Sequence, residues 1–219
     1  MKLLLTSNGL CNETIAARFV EMIGKPISEA IIAFIPTAVN VTSSNKSWFV
    51  NDLVNIEKLK PKMLDIVDIS ALPQELWQAR LEAADVLFFS GGNSFYLMYH
   101  IRKSGLDKLL PKLLETRLYT GISAGSIVAT KSLALTSEYN RAFAKQYNEY
   151  AGEEGLALVD FHIIPHLNSS KFPDACDEKI KEVAKDILGP IYALDNESAI
   201  SIIDGQLDIV SEGKWKKYN

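Results

Sequence analysis

At 219 residues, 47% of them hydrophobic, the chain carries enough apolar surface to bury a substantial core as one α/β domain. Its net charge of −4 and pI near 5.5 argue against a nucleic-acid partner, and no basic run marks a membrane surface. The two cysteines, Cys11 and Cys176, match no metal-ligand spacing and read as free thiols of a reducing, cytoplasmic compartment.

The start, Met1-Lys2-Leu3-Leu4-Leu5, looks like a secretory leader, but three leucines before Ser7-Asn8-Gly9 are too few for its apolar segment. Residues 3–6 read instead as a buried first strand, and no apolar stretch approaches a membrane span. A helix over 13–23 places Ile15, Ala16, Phe19, Val20 and Ile23 at helical spacing and ends at Gly24-Lys25-Pro26. The apolar run 31–35 is expected to be a buried parallel strand stopped by Pro36. A polar loop over 37–44 leads to a helix over 47–59, with Pro61 marking its end. A third strand over 63–69 is interrupted by Asp65 and Asp68, and Pro73 opens a helix through 83 at the favoured first-turn position. Residues 86–89 make a fourth strand, followed by Ser90-Gly91-Gly92-Asn93. Helices over 95–103 and 106–116 lead to a fifth strand over 118–122, and a helix over 124–129.

This alternation predicts an α/β fold, a mostly parallel sheet with helices on both faces and ligands beyond the carboxyl ends of its strands. Residues 138–150, with Tyr139, Phe143, Tyr147 and Tyr150, read as an irregular or partly helical excursion. Short strands are expected over 156–159 and 161–164, then an amphipathic helix over 174–188 with Ile180, Val183, Ala184 and Ile187 on its apolar face. Strands over 191–194, 199–203 and 206–210 follow, the last two joined by an Asp204-Gly205 hairpin turn, giving antiparallel strands at the sheet edge.

The chemistry concentrates at Gly121-Ile122-Ser123-Ala124-Gly125, a G-x-S-x-G turn between a strand and a helix. Such a turn projects a serine past the strand end, and a Cβ on either flanking glycine would strike neighbouring backbone. The Ala124 N–H falls where an oxyanion donor is needed, and Gly91 or Gly92 is a candidate second donor; a turn capped by Asn93 or Ser94 explains the same glycines. A serine nucleophile needs a base, and the chain has three histidines. His100 lies in a helix and reads as a surface or packing residue, and His162 inside an apolar strand as a hydrogen-bonded core histidine. His166 follows Pro165 at a strand-to-loop transition and is the best base candidate.

Taken in order, Phe88-Phe89-Ser90-Gly91-Gly92-Asn93-Ser94-Phe95, Gly121-Ile122-Ser123-Ala124-Gly125 and Ile164-Pro165-His166-Leu167-Asn168 resemble the peptidase E family, the aspartyl dipeptidase type of serine peptidase. The resemblance runs over nearly the whole chain. It implies a flavodoxin-like fold akin to the class I glutamine amidotransferases, with serine where those carry cysteine. It also implies Ser123 as nucleophile, His166 as base, and the Gly92 and Ala124 N–H groups as oxyanion hole.

Three positions depart from the family pattern. Ser90 replaces the first glycine of the family's turn. The family's late acidic partner of the histidine falls on Asn196, between Asp195 and Glu197, so the residue that orients His166 is open among the three; a second acidic position falls on Glu138. The family's substrate-binding arginine falls on Cys176, with Lys179 or Lys171 as the nearby cations. The expected function is hydrolysis of short peptides, dipeptides with N-terminal aspartate among them, by a monomer or homodimer that needs no metal or cofactor. The rivals are an esterase using the same elbow and a catalytically silent domain that binds a small molecule or peptide.

Overall fold

Apolar runs become strands here because each sends alternate side chains to two buried faces. In chain order the first half comprises β1 (Lys2–Thr6), α1 (Glu13–Ile23), β2 (Ile31–Ile35), α2 (Ser47–Glu57), β3 (Met63–Ile66), α3 (Gln74–Ala83), β4 (Val86–Phe89), α4 (Ser94–Ser104), α5 (Leu106–Leu113) and β5 (Leu118–Ile122). The computed structural model describes residues 1–41 and 43–219; Thr42, in the expected polar loop, lies outside the described residues. Leu3, Leu5, Ala33, Ile35, Leu87, Phe89 and Tyr119 join one core with Trp77 and Leu81 of α3 and Phe95 and Ile101 of α4. Leu4, Ile32, Phe34, Val86, Phe88 and Leu118 join the other with Ile15, Phe19 and Met22 of α1 and Ile56 of α2. Phe88 is fully buried between Phe34 and Phe19, at ring centroids of 5.4 and 5.7 Å, a burial worth about 3 kcal/mol.

The remaining elements are α6 (Ala124–Ile127), α7 (Glu138–Gln146), β6 (His162–Ile164), α8 (Asp177–Ala184), β7 (Ile191–Leu194), β8 (Ser198–Ile203), β9 (Gln206–Ser211) and β10 (Trp215–Tyr218). The main sheet runs β3-β2-β4-β5-β1-β8-β9, parallel from β3 to β1, with β8 and β9 antiparallel at the edge. Asp204 and Gly205 both have positive φ, 49° and 84°, as a two-residue hairpin turn between twisted strands requires. Strand order reverses between β2 and β4, so the crevice beyond their carboxyl ends is the favoured ligand position. Among the described residues no helix is long and apolar enough to cross a membrane.

Several expectations are corrected. Residues 156–159 form no strand: the Leu156, Ala157 and Leu158 N–H groups donate to Val128, Thr130 and Ala129 carbonyls, binding the segment to the turn after α6 rather than to a sheet. β6 and β7 do not join the main sheet but pair with β10, an unforeseen strand, in a second sheet of order β10-β7-β6. This small sheet and α8 enclose their own core of Ile164, Leu167, Ala175, Ile180, Ala184, Ile191 and Ala193. The helix expected over 174–188 is limited to α8, and Val183 is 42% exposed because only one narrow stripe meets that core. The helix after Ser123 is a single turn, and Pro73 is the N-cap of α3 rather than its first residue. β3 stops at Ile66 because the Asp68 carboxylate accepts from Thr37 Oγ1 and the Ser70 N–H, turning the chain.

Candidate active site

Backbone crowding shapes the Ser123 turn. A Cβ on Gly121 would lie 2.5 Å from the Gly125 carbonyl carbon, and one on Gly125 would lie 2.3 Å from Phe89 O of β4. Glycine at both positions lets the turn press against the neighbouring strand. Ser123 takes φ 46° and ψ −99°, a conformation that costs a serine about 1–3 kcal/mol and persists only where surroundings impose it. Hydrogen bonds reinforce that packing. Ser123 N–H donates to Thr6 O at 3.0 Å, Ser126 Oγ to Thr6 O and Gly121 O, and the fully buried Tyr119 hydroxyl to Gly125 O at 2.6 Å.

His166 reaches Ser123 from the other side. Leu167 N–H donates to Leu194 O, holding the loop after β6 to the end of β7, and His166 itself has φ 63°. Its backbone N–H donates to Ser7 Oγ at 2.8 Å, so the turn after β1 fixes the loop from below. The ring Nε2 lies 3.1 Å from Ser123 Oγ, and Nδ1 lies 2.7 Å from Asn196 Oδ1. An amide oxygen only accepts, so Nδ1 carries the proton and Nε2 turns its lone pair to the serine. Phe172 stacks on the imidazole at 4.1 Å with planes 9° apart. Burial lowers the His166 pKa below the usual histidine value, and the Asn196 bond opposes that only in part.

The three candidates for orienting His166 separate cleanly. Asn196 makes the bond. Asp195 instead shapes the turn, accepting from Glu197 N–H at 3.0 Å and Ser198 Oγ at 2.6 Å. The Glu197 side chain is exposed and makes no bond to His166; its carbonyl accepts from Asn12 Nδ2 and the Glu212 N–H. Cys11 Sγ donates to Asn196 O at 2.9 Å, so the loop before α1 holds this turn in place. Asn196 thus supplies geometry without charge.

On the oxyanion side, Ser90 and Asn93 N–H groups donate to Ile35 and Ala38 carbonyls. The Gly91 and Gly92 N–H groups between them have no acceptor among the described residues. Gly92 has φ 131°, and a Cβ there would fall 2.1 Å from Ala38 O. A Cβ on Gly91 would fall 3.6 Å from Ser123 Cβ, which puts this turn directly beside the serine. Ala124 opens α6, so its N–H has no helical acceptor. With only four residues, α6 adds little dipole, and the donors act as individual N–H groups.

Glu138 does not reach the site. It opens α7, 73% exposed, and is ion-paired with Arg141, which also pairs with Glu153 at 3.2 Å. Cys176, the N-cap of α8, carries no cation, Lys179 is bonded to Asp174, and Lys171, just before Phe172, is exposed with no partner among the described residues. Ser7, Phe172 and Trp48, whose ring lies 3.5 Å from the position of a Gly91 Cβ, are the neighbours that sequence reasoning missed. Ser7 and Trp48 were signalled only by position, just beyond β1 and at the start of α2; Phe172, in the loop between β6 and α8, carried no signal.

Known proteins resemble this chain over most of its length. An uncharacterized peptidase of Listeria monocytogenes is 27% identical over 172 residues, covering 78% of this chain and 81% of its own. Peptidase E of Streptomyces coelicolor is 31% identical over 130 residues, 57% of this chain and 51% of that one. Among solved structures, a Listeria monocytogenes protein described as a peptidase E candidate superposes with a TM-score of 0.79 at 24% identity, covering 97% of this chain and 98% of that one. That likeness carries the mixed α/β fold. The model of peptidase family S51 matches residues 3–210, nearly the full chain. The protein therefore belongs to peptidase family S51 and is a serine-type peptidase.

Proposed function

We propose that the chain, acting as one catalytic unit, hydrolyses short peptides through Ser123 and His166, with Asn196 orienting the base. The observation that carries this reading is the continuous line from Asn196 Oδ1 to Nδ1 at 2.7 Å and from Nε2 to Ser123 Oγ at 3.1 Å. Ser123 Oγ attacks the scissile carbonyl carbon while Nε2 takes its proton. The carbonyl oxygen, now an anion, receives the Ala124 and Gly92 N–H groups, each worth about 3 kcal/mol in the transition state. His166 returns the proton to the leaving amine, and water repeats the sequence on the acyl-serine. The strained Ser123 backbone is the mark of a nucleophile elbow.

Asparagine in place of a carboxylate sets the pace. It holds the correct tautomer but leaves the transient imidazolium uncompensated, so turnover is slow for this chemistry. A Drosophila melanogaster relative, 31% identical over 112 residues, is described as a probable alpha-aspartyl dipeptidase, which puts Asp-Xaa peptides first on the substrate panel. With no guanidinium at Cys176, they are expected to be cut no faster than Asn-Xaa peptides.

The test is hydrolysis of a dipeptide panel varied at the N-terminal residue, alongside fluorophosphonate labelling of the wild type, Ser123→Ala and His166→Ala. Cleavage and labelling by the wild type, both lost in the variants, support the reading. An unlabelled wild type that cuts no peptide would sink it in favour of a silent binding domain.

A further inference from the structure

Asp52 is the most buried carboxylate among the described residues. It sits in the middle of α2, 7% exposed, with no hydrogen bond and no ion pair among the described residues, and its Oδ2 is wholly buried without a partner there. Burial alone pushes its carboxyl up to about 7. A buried carboxyl left in this state costs free energy that ordinary packing would remove by substituting a leucine or an asparagine.

Its position places that cost beside the nucleophile. A Cβ on Gly9 would stand 3.0 Å from Asp52 Oδ1 and 3.2 Å from Ile122 Cδ1, so glycine lets the turn after β1 pack closely against the carboxylate and the residue before Ser123. Ile122 immediately precedes Ser123 and also borders Gly91, at 3.7 Å from its Cβ position. Trp48 lies one helical turn before Asp52, on the same face of α2, with its ring against Gly91. The carboxylate, the indole and Ile122 are thus neighbours of the Gly9, Gly91 and Ser123 turns at the carboxyl ends of the strands, with Ile122 itself buried at 3% exposure. An aromatic face beside an unpaired carboxylate suits the alkyl stem and charged head of a cation.

We infer that Asp52 is a specificity-determining residue that receives a cationic group of the peptide substrate, an ammonium or a guanidinium, in the crevice between α2 and the Ser123 turn. This rests on the Ser123 reading above. The cation is either the peptide's α-ammonium or the side chain of an N-terminal lysine or arginine. Either one gives the carboxylate the charge partner it lacks in the free protein.

The experiment compares kcat/KM of the wild type and Asp52→Asn on Lys-Leu, Arg-Leu, norleucyl-Leu and Asp-Leu, each with a free and an acetylated α-amine. Asparagine preserves shape and removes only the charge. A loss of roughly 30-fold or more confined to Lys-Leu and Arg-Leu, mainly in KM, identifies the side-chain cation. A comparable loss on every free-amine peptide, reproduced by acetylation in the wild type, identifies the α-ammonium. Equal kcat/KM for both enzymes on all peptides overturns the assignment while leaving the peptidase reading intact. If the wild type cuts none of them and Ser123 takes no fluorophosphonate, the peptidase reading fails by itself. Calorimetric titration with lysinamide then decides the Asp52 site: about tenfold weaker binding to Asp52→Asn sustains it, and unchanged or absent binding overturns it.

Discussion

The two halves of the site are held in different ways. Ser123 is fixed by close backbone packing inside the main sheet, where Gly121, Gly125 and Phe89 meet at distances that exclude any side chain. His166 and Asn196 are fixed by single hydrogen bonds from loops of the small sheet and from the chain after β1. A packed turn is all-or-none, whereas a tethered loop can lose one bond at a time. The nucleophile half should therefore break abruptly and the base half should degrade gradually.

Gly125→Ala tests the abrupt side. A methyl 2.3 Å from Phe89 O forces α6 away from the end of β4, with an expected loss of about 4 kcal/mol or more in urea unfolding and loss of fluorophosphonate labelling. A variant that melts like the wild type would mean that the turn is not locked by packing.

Asp52→Asn should act in the opposite sense on stability. The folded carboxyl is raised from 3.8 to about 7, so the folded chain holds this proton more tightly than the unfolded chain. The penalty is absent below pH 4, grows as pH rises toward 7 and is complete above it. The variant is thus expected to gain about 2–4 kcal/mol at pH 8 and almost nothing at pH 4. An equal gain at both pH values would show that charge burial is not the cause.

Asn196→Asp sharpens the base half. A carboxylate on Nδ1 compensates the imidazolium, so kcat should rise about tenfold. It also raises the His166 pKa, which burial now holds below the ordinary value. Activity of the wild type should accordingly persist into more acidic solution than that of Asn196→Asp, read from the acid limb of kcat/KM. Coincident limbs would contradict the Nδ1–Asn196 bond. Ser7→Ala is the mildest change: it removes the acceptor of the His166 N–H and should cost about 1 kcal/mol in kcat/KM, a several-fold loss, with Ser123 labelling retained.

The difference between the halves also explains what was legible beforehand. The Gly121-x-Ser123-x-Gly125 turn is local: strand, nucleophile and helix lie within ten residues, and the glycines record steric demands at that spot. Strands β1, β2, β4 and β5 were legible for the same reason, since their unbroken apolar runs announce burial on both faces. The segment 156–159 has a similarly apolar stretch, yet its N–H groups find carbonyls at the end of α6. Short runs leave that choice to their neighbours.

By itself the amino-acid order determined the α/β architecture, the strained serine turn, the glycine pair beside it and His166 as the base candidate. It left Asn196 undistinguished from Asp195 and Glu197, which are adjacent in the chain. Only the fold separates them, because Cys11 and Asn12, distant in sequence, grip that turn and direct one side chain to Nδ1 while the others face its interior or the solvent. The same holds for Ser7, Phe172 and Asp52. Their roles come from which surfaces meet, and contacts between remote segments are set by the packing of the whole molecule rather than by any local pattern.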